Sequence, residues 1–303
     1  MKVKFFGVRG SYPTPNKDML RYGGRTSCVG FFKEVDGVTI PLYIDAGLGI
    51  IEAGKEIIPK MFNGTAVKEF AILFTHLHPD HTEGFTFFAP NFISGTKLFL
   101  HGPISLKKNV GMIFRDKMAP PTYPIEYKDL KSERVHGVVT DGQMFYINRK
   151  GAVIQTLKPS DDPPVFEIKA MQSFAPSHPQ QGSIYYRITD CENKKSAACI
   201  WDIESRVGGD QRVIAFSKDA DVMIHDTQYT DEEYNSSKMI VQGFGHSTYT
   251  MAVENAQKAK VPVLVAFHFN PAHTDAKLEE IAKNLKTDEL QFILSKEGLE
   301  LEV

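Results

Sequence analysis

Cysteine is scarce in this chain: Cys28, Cys191 and Cys199 form no C-x-x-C pair, and three is an odd number, so no disulfide framework is expected. Net charge is scarce too. Thirty-five Lys and Arg against 37 Asp and Glu give −2, which excludes a global field that draws in nucleic acid or an anionic membrane; a polyanion would have to be held locally. No uninterrupted apolar run approaches the roughly 18 to 20 residues that span a bilayer, and the opening MKVKFFGVRGSYPTP reaches glycine and arginine too early for a signal peptide. A cytoplasmic protein without membrane contact is the expectation. Linkers, low-complexity tracts and repeats are also missing, so residues 1–303 are read as one domain, long enough to bury a substantial core.

Short strands are predicted in KVKFFGV, SCVGFF and TIPLYIDAG, with turn chemistry between them, which implies an antiparallel start. IIEAGKEIIPKMF spaces its apolar residues as an amphipathic helix does, and the strand FAILFTH follows. Residues from about 104 to 135 read as an irregular excursion or lid, because three prolines interrupt MAPPTYPIEYKDLKSERV. After this come RVHGVVT, QMFYIN, AVIQTL, VFEIKAMQSF and SIYYRIT, all strand-like. From residue 196 strands alternate with helices, one near STYTMAVENAQKAK and one from TDAKLEEIAKNLK. Strands leading each half, with helices after them, imply two sheets packed face to face with helices outside: a four-layer αββα sandwich of the α/β class.

Histidine is placed unevenly. His76, His78 and His81 stand with Asp80 in an H-x-H-x-D-H run directly behind the apolar FAILF, where four imidazole and carboxylate groups would be costly to bury without a metal to satisfy them. Three further polar residues sit at the ends of apolar runs: His178 before SIYYRI, Asp202 after AACIW, and His268 after VLVAF. Seven donors are too many for one tetrahedral ion. Two divalent ions with three protein ligands each, sharing one carboxylate and a water, would use all seven; zinc is the first expectation, manganese or iron the alternatives. His101, His136, His225 and His273 have weaker contexts, and Asp45 in YIDAGLGI reads equally as a turn former or a support for the metal loop.

The H-x-H-x-D-H loop resembles the hallmark of the metallo-β-lactamase superfamily. VRGSYPTP, RYGGRTSC, SHPQQGSIYYRI, IHDTQYTDEEY, GFGHSTYTMAVE and AFHFNPAHTD resemble, in order, the branch of ribonuclease Z-like and cyclic-phosphodiester hydrolases. The resemblance implies that His76, His78 and His178 hold one metal, that Asp80, His81 and His268 hold the other, and that Asp202 bridges them. It also implies an acid dyad, Asp226 orienting His246 to protonate the leaving oxygen, so that Asp80, Asp226 and His246 form the catalytic set. Ser247 and Thr248 open the helix after His246, where free amides could hold a phosphate oxygen or a hydroxyl could simply cap. The chain departs from the branch at IWDIES, where Asp-Thr is common, and at Phe269, where many relatives carry a second histidine.

A small cyclic phosphodiester, with 3′,5′-cyclic nucleotides first, is the expected substrate, because the chain lacks a global positive charge and a long Gly- and basic-rich arm for docking RNA. A ribonuclease Z-like RNA endonuclease is the alternative. Thioester or lactam hydrolysis fits the acid dyad poorly, and a non-catalytic metal-dependent sensor is the reading from outside enzymes. The resemblance also suggests a homodimer.

Overall fold

The structure, a computed structural model, describes residues 1–158, 162–173, 182–287 and 290–303. The first half supplies β1 (Lys2–Gly7), β2 (Cys28–Val35), β3 (Val38–Ile44), helix α1 (Gly49–Phe62), β4 (Glu69–Leu73), the short helix α2 (Pro79–Thr82), β5 (Lys97–Gly102), α3 (Val110–Lys117) and β6 (Glu133–Val138). The second supplies β7 (Met144–Ile147), β8 (Val153–Ile154), β9 (Phe166–Gln172), β10 (Ile184–Asp190), β11 (Ser196–Ile200), α4 (Gln211–Ser217), β12 (Val222–Asp226), α5 (Asp231–Tyr234), α6 (Tyr249–Lys258), β13 (Val263–Phe267), α7 (Asp275–Asn284), β14 (Gln291–Leu294) and β15 (Glu300–Glu302). Among the described residues these form a seven-stranded sheet, β15-β1-β2-β3-β4-β5-β6, and an eight-stranded one, β14-β13-β12-β11-β10-β9-β7-β8.

Period-two side chains decide which faces meet. In β3, Ile40, Leu42 and Ile44 enter the core between the sheets, and in β4 Ala71 and Leu73 join them; Tyr43, Phe70 and Ile72 point the other way, onto the cluster under α1 and α3. The second sheet repeats the device: Val222, Ile224, Val265 and Phe267 face inward, while Met223 and Leu264 face Ala252, Val253 and Ala256 of α6. Both faces of each central strand are therefore apolar, and helices cover the outer ones. The four-layer α/β sandwich expected from the sequence is the architecture observed.

Strands β3 to β6 run parallel, as do β11 to β14, so each set brings its carboxyl ends to one edge of its sheet. The histidine loop follows β4, and Asp45, Asp202, Asp226 and His268 stand at or just beyond the ends of β3, β11, β12 and β13. The excursion of 104 to 135 is anchored rather than loose. Val110, Phe114, Met118, Tyr127 and Leu130 are buried, Phe114 stacks on Phe85 with ring centroids 4.1 Å apart, and the Lys117 ammonium donates to Thr82 at the end of α2. It contains one α-helix, α3. Six of these elements were absent from the sequence reading: β5, α4, the one-turn helices α2 and α5, and the closing strands β14 and β15. No helix among the described residues is long and apolar enough to cross a membrane.

Candidate metal centre

Four buried donor atoms converge on one point. His81 Nε2 lies 3.2 Å from Asp80 Oδ2 and 3.3 Å from Asp202 Oδ1. His268 Nε2 lies 3.3 Å from Asp80 Oδ2, 3.3 Å from His81 Nε2 and 3.4 Å from Asp202 Oδ1. A regular tetrahedron with edges near these five distances would have its centre about 2.0 Å from every corner, which is the bond length zinc makes to imidazole nitrogen and carboxylate oxygen. The tautomer agrees. His81 Nδ1 donates to Asp45 Oδ2 at 2.7 Å, so Nε2 is the nitrogen turned to the other three atoms and the one on which a metal would replace a proton. Two carboxylates and two imidazole nitrogens turned on one point call for positive charge between them, and the donor set fits a divalent metal.

Electrostatics point the same way. Burial opposes charge on His81, but Asp202, Asp80 and Asp45 outweigh it and hold its pKa well above the ordinary histidine value. Burial would also raise Asp80, yet His81 and His268 hold that carboxyl well below the usual range. His76 is driven well below its ordinary value by burial and then by His81. The centre therefore combines concentrated negative charge with one imidazole kept neutral, which is how a cation site is poised.

A second donor group adjoins the first. His76 Nε2 is 3.5 Å from Asp202 Oδ2, and the His76 and His78 rings stand 4.4 Å apart. Asp202 thus turns Oδ1 to His81 and His268 and Oδ2 to His76, one carboxylate facing both groups. His178, expected in this second group, lies outside the described residues.

The backbone is bent to make this possible. Asp45, Asp202 and His268, each ending a strand, adopt left-handed φ of 61°, 55° and 61°, a costly conformation for non-glycine residues that clusters at functional sites. Asp45 is fully buried and accepts from Thr75 N, Thr75 Oγ1 and Trp201 Nε1 at 2.8 Å each, besides His81. Of its two sequence readings, support of the metal loop is the one the geometry displays. Residues 9–11 brace the other side. Ser11 N donates to Asp80 Oδ2 at 2.8 Å, and Gly10 lies so close that a Cβ there would meet the His268 ring at 2.3 Å. The buried Arg9 guanidinium donates to the carbonyls of Gly23, Asn270 and His273, pinning the loop after His268. Phe269, the departure noted in the sequence, is buried beneath that guanidinium at 5.9 Å.

Asp226 and His246 meet as expected, Nδ1 to Oδ2 at 2.8 Å. Asp226 is held by Asp202 N at 3.0 Å, Gln228 N at 3.1 Å and Ser247 N at 3.3 Å, and the His246 ring stacks on His268 with centroids 5.0 Å apart. Asp226, His246 and His268 also bring donor atoms within 4.8 Å of one another. Ser247 and Thr248 have internal partners: Ser247 Oγ donates to Ile203 O and accepts from Ser205 N, and Thr248 caps α6 by accepting from Met251 N. Both are buried, and capping is the role the structure displays for Thr248. His225 is a satisfied interior residue bonded to Asp226 O and Asn255. Glu204, which carries no motif, accepts from Gly243 N at 2.8 Å, Gly245 N at 3.0 Å and Tyr234 Oη at 2.8 Å, joining the loop after Asp202 to the loop before His246. Nothing local in IWDIES signals that role.

Two parallel strand sets meeting over such a centre define a metal-dependent hydrolase of the αββα sandwich class. The chain belongs to the β-lactamase superfamily: the family described as "Beta-lactamase superfamily domain" matches residues 42–269. It is 26% identical to a ribonuclease Z of Thermoplasma acidophilum across 100% of this chain and 96% of that protein. Among solved structures it is similar to the short form of human tRNase Z, with a TM-score of 0.60 and 19% identity covering 100% of this chain and 99% of the other. Unliganded yeast PDE1 gives a TM-score of 0.64 and 12% identity, covering 100% and 99%. At those identities the two structures speak to the fold.

Proposed function

We propose that the chain is a dinuclear metal-dependent phosphodiester hydrolase that cuts RNA in the manner of ribonuclease Z. The observation that carries the chemistry is the Asp226–His246 pair, bonded at 2.8 Å and tied through Asp202 N to the carboxylate that faces both donor groups. The ranking of substrates reverses the one drawn from charge. The curated relative matched along nearly the whole length of both chains is a ribonuclease Z, which supports the alternative over a small cyclic nucleotide.

In this reading Asp80, His81 and His268 would hold one ion and His76, His78 and His178 the other, with Asp202 available to both. Bound divalent ions, zinc first by the donor set with manganese or iron as alternatives, would polarise the phosphodiester and acidify water. Asp226 fixes the His246 tautomer through Nδ1, which leaves Nε2 as the atom that gives a proton to the departing oxygen. Asp226 can do so because three backbone amides hold its carboxylate in place. Ser247 enters through its amide, which fixes Asp226, and Thr248 by starting α6. A homodimer in the cytoplasm completes the reading.

The test is a side-by-side incubation of the metal-loaded protein with precursor tRNA, cyclic AMP and cyclic GMP, with product masses and elemental analysis. Endonucleolytic cleavage at the tRNA 3′ side is expected. Linear monophosphates from the cyclic substrates with the RNA intact would restore the cyclic reading, and metal binding without turnover of any substrate would favour the sensor. The mass of the same preparation in solution tests the dimer.

A further inference from the structure

A cavity of about 590 Å³ opens directly beyond Asp202. Its wall is formed by the residues that follow that aspartate, Ile203 to Val207, by the end of β9, and by Tyr234 and Gly243 from the segment that leads to His246. The volume falls within the range of small-ligand pockets, and its wall adjoins the centre along the chain: Ile203 follows Asp202, and Glu204 accepts from Gly245 N, the residue before His246.

Two wall residues are suited to a nucleotide. Arg206 is exposed, and among the described residues no carboxylate lies within ion-pair distance of it, whereas Arg212 on the same wall is paired with Asp141 at 3.3 Å. Tyr234 is half-buried, and its hydroxyl donates to Glu204 at 2.8 Å; burial and then the Glu204 carboxylate push its pKa up to about 12, so the proton and the bond persist. A ring tethered at its far end has little freedom left to lose when a base stacks on it. The chain's net charge of −2 makes such local contacts necessary for holding a polyanion.

We propose that this cavity is the subsite for one nucleoside next to the scissile phosphate, with the Tyr234 ring as its stacking surface and Arg206 as the cation for the adjoining phosphate. The assignment rests on the RNA reading for its substrate, but it is separable from that reading by binding.

Two measurements on the metal-loaded protein test it: equilibrium binding of adenosine 5′-monophosphate, and steady-state cleavage of a short RNA carrying an intact or an abasic nucleotide on either side of the cut. Tyr234→Leu should weaken binding and raise KM roughly five- to hundredfold, as loss of one stacked base does, whereas Tyr234→Phe, which keeps the ring and loses only the Glu204 tether, should lose several-fold less. An abasic nucleotide at one flanking position should erase the difference between wild type and Tyr234→Leu. Arg206→Glu should raise KM with kcat and metal content preserved, and Arg149→Glu, the same charge change on the β7–β8 turn, should not. Equal losses in Tyr234→Leu and Tyr234→Phe, indifference to every abasic position, or matching effects of the two arginine variants would overturn the subsite. If RNA is not cut but nucleotide binding depends on Tyr234 and Arg206, the subsite stands and the RNA reading falls; RNA cleavage and nucleotide binding that ignore both residues give the reverse.

Discussion

Asp45 Oδ2 and His81 Nδ1 meet at 2.7 Å across 36 residues of sequence, and that bond decides which nitrogen of His81 faces the metal centre. Asp45 takes four donors in all, and no water reaches it. An Asp45→Asn amide would set its NH2 against a donor in either orientation, because both carboxylate oxygens accept. Metal affinity should fall about 10- to 100-fold, as is usual when a ligand's outer partner is lost. A chelator competition titration measures this, and an unchanged affinity would remove Asp45 from the support of the centre.

Gly10→Ala should act at a distance of one bond. The added Cβ would stand 2.3 and 2.4 Å from His268 ring atoms and 2.5 Å from Gln228 Oε1, so the ring must move. Overpacking of this kind costs about 1–3 kcal/mol. Lower metal content together with a lower melting temperature is expected. Gly142→Ala is the control: its φ of +72° carries backbone strain, but nothing lies within 4 Å of the new carbon, so stability should drop while metal content holds.

His246→Ala should lower kcat by roughly 10²- to 10⁴-fold, the usual worth of a general acid, with both ions retained. Because Asp226, His246 and His268 also cluster closely enough to hold a cation, elemental analysis of the variant is the decisive reading. Loss of an ion would turn His246 from acid into ligand.

Glu204→Gln should separate positioning from ligation. The carboxylate accepts from two glycine amides and a tyrosine hydroxyl, and an amide side chain keeps only one accepting atom for them. The loop bearing His246 would lose its tie to the loop bearing Asp202. A fall in kcat with normal metal content is expected; wild-type kinetics would show the glycine loop to be held by its other contacts.

Much of this was legible in the chain, for identifiable reasons. β3 and β4 are apolar on alternate residues of both faces, so TIPLYI and FAILF could be recognised as buried strands, and the crowded H-x-H-x-D-H run after the second made the centre visible. β15 could not be seen: ELE is polar and pairs with β1 at the opposite end of the chain, an arrangement only tertiary structure supplies. Arg9 in GVRGS looks like a surface cation, yet its partners are carbonyls 14 to 264 residues away. Asp45 showed its turn but not its four donors, which come from three separate segments. The substrate ranking rested on a global quantity: a net charge of −2 describes the far field and carries no information on the local groups that would hold a substrate, whereas the ribonuclease Z relative supports the alternative.

His101, at the end of β5, gives the fold a dependence on acid that is independent of the metal. It is buried, stacks on Phe145 with centroids 6.2 Å apart, and burial lowers its pKa from 6.5 to about 4, with His136 adding to the effect. The folded state therefore favours the neutral ring. Between pH 6.5 and 4 the unfolded chain binds a proton that the folded chain refuses, so stability rises with pH across that window. The contribution is present in full above 6.5, erodes as pH falls, and is gone below about 4; its size is about 3 kcal/mol. His101→Leu should flatten that part of the curve of unfolding free energy against pH, measured by denaturant titration at a fixed metal concentration. The carboxylates continue to titrate in the variant, so the expected sign is a smaller slope between pH 4 and 6.5 with little change above 7. An unchanged slope in the variant would mean that His101 takes up its proton in the folded protein as readily as in the unfolded one.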